Sequence, residues 1–215
     1  EEKLKGRVRD HVDLIAGTST GGILACAVAK GIPASEVLNL YERRGREIFP
    51  GAPSRLWSRL GRTFTQGPSA PKYSDAGLER VLRDVLGDAK SGDLPKPVLI
   101  PTYNTLMRQA LVFKNSKDSH KHIPIWQIAK ATASAPTYFP ATVMNVEGVD
   151  LPIVDGCVVA NNPAACAVAE AIRMQGDART GKGLNDIAVV SMGSGQTTRP
   201  IRINELLPSL LRLSL

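Results

Sequence analysis

The sequence predicts an α/β fold in which a largely parallel sheet is covered by helices on both faces. Short apolar runs alternate along the chain with stretches of helical periodicity. Clusters of glycine, proline and polar residues separate these segments at short intervals. The 215 residues are sufficient for one substantial domain with its own core, and the sequence contains no internal repeat.

The first quarter of the chain is predicted to contain one strand and two helices. Residues 12–16 are typical of a short buried strand, and residues 22–30 of a small-residue helix that Gly31 caps. A second helix is predicted over residues 35–48. The stretch 50–71 is rich in Pro, Gly, Ser and Arg, which favours a long loop with one short helical piece.

The rest of the chain continues the alternation of strands and helices. An amphipathic helix is predicted to open at Ser74, because apolar residues follow at positions i, i+3, i+4, i+7 and i+8. The further predicted elements are strands at 98–100 and 110–113, a helix over 124–134, a strand ending at 153–154, an alanine-rich helix capped by Asn162, and a buried strand over 187–192.

Composition and charge favour a globular protein with an acidic partner. The chain is 43% hydrophobic and 22% charged, and its net charge of +7 suits a membrane surface or a nucleic acid. Apolar runs are shorter than the roughly 18 residues that a spanning helix needs, and no signal peptide is visible. The three cysteines, Cys26, Cys157 and Cys166, lack CxxC spacing and are expected to be small core residues in a reducing compartment. We therefore expect a cytoplasmic protein that reaches the membrane peripherally.

A serine lies between two glycines where the first predicted strand meets a helix. Gly17, Thr18, Ser19, Thr20 and Gly21 form the pattern G-x-S-x-G. On a sharp strand-to-helix turn this pattern exposes the serine hydroxyl, and the helix directs its N-terminal amides toward developing negative charge. A plain glycine-rich turn or a phosphate cradle is the alternative, but a P-loop requires Lys and Ser/Thr where Gly22 and Ile23 stand. The pattern therefore predicts Ser19 as a nucleophile.

The histidines do not suit the role of general base for this serine. We call the strand-to-helix turn around Ser19 the elbow. His11 precedes the strand that leads into the elbow, and it is expected at the end of that strand far from Ser19. His120 and His122 lie in a polar, lysine-rich segment that is typical of solvated surface. A hydrolase triad that runs Ser, Asp, His along the chain is not expected, because none of the three follows the best-placed carboxylate, Asp155.

Asp155 is the remaining candidate for the base. It ends an apolar run and precedes Gly156 and a helix, a position where ligands collect in open α/β sheets. A carboxylate there could accept the serine proton and return it to a leaving group. The alternative is a turn aspartate that bonds to its own backbone.

Four motifs, in order, resemble those of patatin-like phospholipases: the elbow at 17–22, ATASAPTYFP at 131–140, Asp155-Gly156, and SMGSG at 191–195. The resemblance covers most of the chain, from the elbow to about residue 195. It implies a three-layer α/β/α sandwich with a mostly parallel central sheet, and a Ser–Asp dyad of Ser19 and Asp155. It also implies hydrolysis of fatty acyl esters through an acyl-serine, with no metal or other cofactor.

The chain departs from the family pattern at two places. Cys157 follows Asp155-Gly156 where the family usually has Gly or Ala. The family also has a glycine-rich oxyanion loop a few tens of residues before the elbow, whereas this chain opens with EEKLKGRVRD, similar to the end of the helix after that loop. We therefore expect residues 1–215 to be a single patatin-like domain truncated at both ends. Loss of an oxyanion donor costs about 10²–10³ in turnover, which would make such a fragment a poor enzyme.

A basic segment over residues 43–71 is expected to form a lid-like loop over the elbow. It interleaves arginines with aromatic and aliphatic residues, and Arg55, Trp57 and Arg59 are its candidate membrane contacts. The alternative is a solvated loop whose Trp57 fills a small satellite core. Nucleic acid is not expected as a partner, because no recognition motif accompanies the charge.

These observations favour a lipid acyl hydrolase of the phospholipase A type. The alternative class is a catalytically weak lipid-binding or regulatory module, and acyl transfer to an acceptor other than water would use the same serine. Some bacterial members of the family are effectors switched on by a cyclic nucleotide in antiviral defence, so a small-molecule activator stays open, as do the head group and the oligomeric state.

Overall fold

A computed structural model of the protein describes residues 1–49, 71–177, 183–193 and 195. The strands are β1 (Ile15–Ala16), β2 (Val98–Asn104), β3 (Gln109–Lys114), β4 (Thr142–Val146) and β5 (Val149–Asp155). The α-helices are α1 (Thr20–Lys30), α2 (Ala34–Ile48), α3 (Ala76–Leu86), α4 (Ile125–Thr132), α5 (Cys157–Ala160) and α6 (Ala164–Asp177). Short 3₁₀ turns span Val8–His11, Ser91–Asp93, Asp118–His120 and Leu184–Asp186.

Strand β2 is the centre of the sheet. Strand β3 pairs with one edge of β2 along almost its full length. The opposite edge is shared: β1 pairs with Val98 and Leu99, and β5 pairs with residues 102–104. Because β1 runs parallel to β2 and β5 runs antiparallel, the carboxyl ends of β1 and β5 converge beside Pro101. This convergence brings the residues that follow β1 close to the residues that end β5.

The α/β prediction is confirmed, but the described sheet is mixed rather than largely parallel. The β1–β2 pairing is parallel, and the pairings of β2 with β3, β2 with β5 and β4 with β5 are antiparallel. Short connections explain the β2–β3 and β4–β5 pairings, because a tight turn returns the chain antiparallel to itself. In the β4–β5 hairpin both turn residues, Glu147 and Gly148, have positive φ (54° and 83°), as a two-residue hairpin turn requires.

Helices cover both faces of the sheet. Ile100, Phe113 and Ile153 lie on one face and belong to the main core, which also contains apolar residues of α1, α2, α3 and α4. Leu99 is buried on the opposite face. Its cross-strand partner Lys114 forms a 2.9 Å ion pair with Glu170 of α6, so α6 covers that second face.

The helix signals in the sequence correspond to real caps. Gly31 has φ of 91°, and its N–H donates to the carbonyls that end α1, as predicted for this glycine. Oδ1 of Asn162 accepts the N–H of Ala164 at 3.0 Å at the start of α6. The amphipathic helix α3 begins at Ala76 rather than Ser74, and its apolar stripe is buried.

Four expectations are corrected by the structure. Residues 187–192 form no strand within the described part of the chain, and Val190 is 81% exposed there, because an apolar run alone does not supply a strand edge for pairing. His120 is buried, not on the surface. Cys157 is exposed at the start of α5, whereas Cys26 is buried as expected. Residues 43–48 of the basic segment are helical rather than part of a lid-like loop, since Ile48 is packed in the core, and they complete the helix predicted over 35–48.

The candidate membrane contacts Arg55, Trp57 and Arg59 lie outside the described residues, as does the leucine-rich segment 206–215. Among the residues that the structure does describe, no helix combines the length and the apolar character needed to cross a bilayer.

Candidate active site

The elbow between β1 and α1 holds Ser19 in a strained backbone conformation. Ser19 has φ of 57° and ψ of −127°, a region that non-glycine residues rarely occupy and that costs on the order of 1–3 kcal/mol. Its carbonyl accepts the N–H groups of Gly22 and Ile23, which starts helix α1 within the turn. A Cβ atom at Gly17 would collide with the carbonyl of Gly21, so the turn requires glycine at position 17.

Asp155 reaches Ser19 from the end of strand β5. It is the last residue of β5, it is fully buried, and it pairs in register with Thr102 of β2. Because β1 and β5 converge on one edge of β2, the end of β5 faces the elbow. The two positions are 136 residues apart in the sequence and meet in the fold.

The Oγ of Ser19 donates a hydrogen bond to Oδ2 of Asp155 at 2.6 Å. The other carboxylate oxygen, Oδ1, accepts the backbone N–H of Cys157 at 2.8 Å. The backbone N–H of Asp155 donates to the carbonyl of Ser134 at 3.0 Å. The carboxylate is thus fixed on both oxygens and presents one of them to the serine hydroxyl, an arrangement in which a carboxylate can accept a serine proton.

Close backbone contacts hold the segments around the dyad together. The N–H of Ser19 donates to Oγ1 of Thr132 at 3.0 Å, and this hydroxyl donates to the carbonyl of Pro101 at 2.7 Å. Oγ1 of Thr18 donates to the carbonyl of Ala160 at 2.7 Å, which ties the elbow to α5. A Cβ atom at Gly156 would collide with the carbonyl of Pro101.

A mostly apolar cavity of about 220 Å³ opens beside Ser19. Its lining combines the elbow with side chains of α2 and α3 and of the segment after α4: Ser19, Thr20, Ile23, Tyr41, Ile48, Phe49, Leu78, Ala133, Ala135, Tyr138 and Phe139. Burial raises the pKa of the Tyr41 phenol to about 12, so this side chain stays uncharged at neutral pH. The cavity therefore offers an uncharged, largely aliphatic and aromatic surface next to the serine hydroxyl.

The described residues contain no group of three or more His, Cys, Asp and Glu side chains arranged to hold a metal ion. Cys157 is the thiol next to the carboxylate in sequence. Although the residue is exposed overall, partial desolvation of its sulfur, followed by the neighbouring Asp155 carboxylate, raises the pKa of this thiol to about 11. The thiol is therefore protonated at neutral pH, and a protonated thiol is a poor nucleophile.

The structure brings together the residues that the sequence singled out for chemistry. Ser19 and Asp155 are in contact, and the elbow residues Gly17, Thr18, Thr20 and Gly21, with Gly156, surround them. His11 is exposed on the 3₁₀ turn before β1. His120 packs against Phe113 near the amino-terminal end of β2, away from Thr102 and its partner Asp155.

Sequence reasoning did not single out two buried polar residues of the site. Thr132 supports the backbone of Ser19, and Ser134 supports the backbone of Asp155. Both lie within the quoted stretch ATASAPTYFP, whose hydroxyl-bearing residues amid alanines at the end of a predicted helix were the available signal.

Comparisons with known proteins agree with the fold. The sequence model described as "Patatin-like phospholipase" matches residues 2–168. The chain is 37% identical over 169 residues to a "cGAMP-activated phospholipase" of Pseudomonas aeruginosa, covering 75% of this chain and 47% of that protein. It is 31% identical over 189 residues to "Patatin-like protein 2" of Oryza sativa subsp. indica, covering 79% and 46%.

A third relative, "Probable inactive patatin-like protein 9" of Arabidopsis thaliana, is 29% identical over 208 residues, covering 89% of this chain and 52% of that protein. The chain spans about half the length of the curated relatives that it matches. The matched region includes the elbow, Thr132 and Asp155. The chain belongs to the patatin-like phospholipase family.

Proposed function

We propose that the protein is a lipid acyl hydrolase of the phospholipase A type, with Ser19 as the nucleophile and Asp155 as the base. The observation that supports this proposal most strongly is the 2.6 Å hydrogen bond from Ser19 Oγ to Asp155 Oδ2 at the edge of an apolar cavity. A serine hydroxyl is a weak nucleophile on its own, and a carboxylate within hydrogen-bond reach is a means of activating it.

Acylation follows from this arrangement in two parts. Asp155 accepts the proton of Ser19 as Oγ attacks the ester carbonyl, which gives a tetrahedral intermediate with negative charge on the carbonyl oxygen. The N-terminal end of α1, directly after Ser19, contributes positive potential near this charge. Asp155 then returns the proton to the departing alkoxide, and the acyl group stays on Oγ.

Deacylation repeats the same steps with water. A water molecule donates its proton to Asp155 while its oxygen attacks the acyl-serine carbonyl. The proton returns to Ser19 Oγ as the fatty acid leaves. The acid-base role therefore stays with one carboxylate throughout, as expected for a dyad without histidine.

A lipid substrate is supported by the lining of the cavity next to Ser19. Ile23, Ile48, Leu78 and Phe139 present aliphatic and aromatic surface that suits an acyl chain. Tyr138 and Phe49 line the same cavity and are each 48% exposed. We further propose that the protein acts from the cytoplasm at an anionic membrane surface, with Arg55, Trp57 and Arg59 as contacts, which the net charge of +7 favours.

The test is intact-mass analysis of the full native protein after exposure to a fluorophosphonate lipid probe. We expect one adduct in the wild type and none in Ser19→Ala. Asp155→Asn keeps the shape of the side chain but removes the base, and should slow labelling by about 10²–10⁴-fold. Absence of an adduct in the wild type would refute the hydrolase and leave a lipid-binding or regulatory module.

A second candidate function is ligand-activated hydrolysis. It is supported by the 37% identity over 169 residues to a protein named a cGAMP-activated phospholipase. Release of fatty acid from phospholipid vesicles would be measured with and without added cGAMP. Activation that is lost in Ser19→Ala supports this candidate, and equal activity in both conditions excludes it.

A further inference from the structure

The segment Thr132–Ser134, at the end of α4, contacts both members of the dyad. Oγ1 of Thr132 accepts the N–H of Ser19 at 3.0 Å, and the carbonyl of Ser134 accepts the N–H of Asp155 at 3.0 Å. Two groups that are far apart in sequence are therefore anchored to one short piece of chain.

The segment is itself firmly held. Thr132 and Ser134 are completely buried. The Oγ of Ser134 donates to the carbonyl of Lys130 at 2.8 Å and lies 2.8 Å from Oγ1 of Thr142 in β4. The ammonium group of Lys130 in turn forms ion pairs with Asp75 and Glu79 near the start of α3. A buried and fully hydrogen-bonded segment of this kind is a rigid reference for the groups attached to it.

Thr132 acts on the strained part of the elbow. Ser19 has φ of 57°, a conformation that persists only where the surroundings hold it. The Thr132 hydroxyl accepts a hydrogen bond from the N–H of this residue, and it donates a hydrogen bond to the carbonyl of Pro101 at 2.7 Å. Its Cγ2 atom packs against Gly22, where an added Cβ would approach it to 2.5 Å. The side chain thus fixes the elbow to β2 through its hydroxyl and to α1 through its methyl group.

We propose that Thr132 is a positioning residue for the nucleophile: its hydroxyl holds the Ser19 backbone so that Oγ points at Asp155. This inference rests on the proposed function of Ser19. Thr132 does not line the cavity, so it acts through Ser19 rather than on the substrate. Displacement of reacting atoms by about 1 Å costs up to 10²-fold in rate, which sets the size of the expected effect.

The test compares Thr132→Val, which keeps the shape and loses the hydroxyl, with Thr132→Ser, which keeps the hydroxyl. The full native protein is assayed for the rate of fluorophosphonate labelling and for kcat and KM on p-nitrophenyl butyrate. We expect Thr132→Val to lower kcat and the labelling rate about 10- to 100-fold with little change in KM. Thr132→Ser should restore both rates to within about 3-fold of wild type.

The matched control is Ser91→Ala, which removes another buried hydroxyl that donates to a backbone carbonyl, that of His120 at 3.0 Å. It should lower thermal stability without lowering the labelling rate. A second variant, Gly22→Ala, leaves Thr132 in place but crowds its Cγ2 atom, and should also slow labelling. This variant tests the proposal even where Thr132→Val does not fold.

The outcomes separate the two levels of the proposal. Wild type that is not labelled at Ser19 overturns the proposed function and the positioning role together. Wild type that is labelled, with Thr132→Val or Gly22→Ala labelled at the same rate, overturns the positioning role alone. Thr132→Ser as impaired as Thr132→Val also overturns it, because the hydroxyl would then not be the group that matters.

Discussion

The middle of strand β2 and its amino-terminal end both lie next to buried polar groups, which are hydrogen-bonded to different extents. Near Pro101 and Thr102, the buried hydroxyls of Thr132 and Ser134 and the carboxylate of Asp155 are all hydrogen-bonded. Near Val98, the ring of His120 is buried with its Nδ1 accepting the N–H of Lys114 at 3.2 Å. Its Nε2 has no hydrogen-bond partner among the described residues.

The difference shows that burial of a titratable group does not by itself mark a reactive site. The region around Pro101 combines burial with a strained backbone at Ser19 and a cavity, whereas the histidine ring is enclosed by its packing against Phe113. A buried group with an unmet hydrogen-bond donor or acceptor costs stability, while a fully bonded network specifies one geometry. Three predictions test this contrast.

The largest effect is expected at Gly17 in the elbow. Gly17→Ala forces a Cβ against the backbone carbonyl of Gly21, which cannot move without distorting α1. Probe labelling at Ser19 should fall by more than about 10²-fold, and the free energy of unfolding should fall by several kcal/mol (about 3 or more). Labelling rate and urea denaturation measure the two quantities.

Gly21→Ala is the matched control from the same motif. A Cβ at Gly21 meets nothing within 4 Å, and the residue lies in the first turn of α1. Alanine there should be neutral or add about 0.5–1 kcal/mol of stability. If both glycine variants behaved alike, the geometric account of the elbow would be wrong.

A smaller effect is expected beside Asp155. In Gly156→Ala the new Cβ meets the carbonyl of Pro101, so the end of β5 must shift away from Ser19. We expect kcat to fall about 10- to 100-fold, measured on the same ester as above. Cys157→Ala is the comparison: Oδ1 of Asp155 is bound by the Cys157 backbone, which alanine retains, so kcat should stay within about 3-fold. An equal loss of kcat in Cys157→Ala would indicate that activity depends on the Cys157 thiol rather than on the backbone position beside Asp155.

The smallest effect belongs to His120 and concerns stability alone. Burial, and next the nearby Lys117 charge, hold the pKa of His120 below its usual value, and Glu147 acts in the opposite direction. Well above pH 6.5, from about pH 7.5, the ring is neutral in both folded and unfolded chains. As the pH falls through about 6.5, the unfolded chain takes up a proton first, so stability declines by at most about 1.4 kcal/mol per pH unit for this group.

The measurement is the free energy of unfolding between pH 7.5 and 5 for wild type and His120→Asn. The amide oxygen of the variant still accepts the Lys114 N–H, but the residue no longer titrates. Its stability should therefore vary less with pH than that of the wild type. His122→Asn alters an exposed ring and should leave the wild-type profile unchanged. An identical profile for His120→Asn would show that the buried ring is not the titrating group.

The elements whose signals are local were predictable from the sequence. The G-x-S-x-G pattern predicted the elbow, and Gly31 and Asn162 marked helix ends at which the structure has the expected contacts. The direction of β5 was not predictable, because it depends on the hairpin at Glu147 and Gly148, which the sequence analysis did not assign. Antiparallel β5 is also what aims Asp155 at the elbow.

Burial was predicted least well where it depends on tertiary packing. The lysine-rich stretch around His120 predicted that this ring is exposed to solvent. In the structure the ring packs on Phe113, while the neighbouring lysines extend outward. The apolar run 187–192 indicated a strand, yet it is not paired within the described residues. In both cases the composition of the segment is compatible with either location, and only the rest of the fold decides between them.

The separation of 136 residues between Ser19 and Asp155 has a consequence for the timing of activity. At about 5–20 residues per second, the serine is synthesised roughly 7–27 seconds before its base. On the proposed mechanism, a nascent chain or a fragment cleaved anywhere between them carries a serine with no base to activate it. Lipid-cleaving capacity would then appear only with the finished sheet, which spares the membranes around a half-made chain.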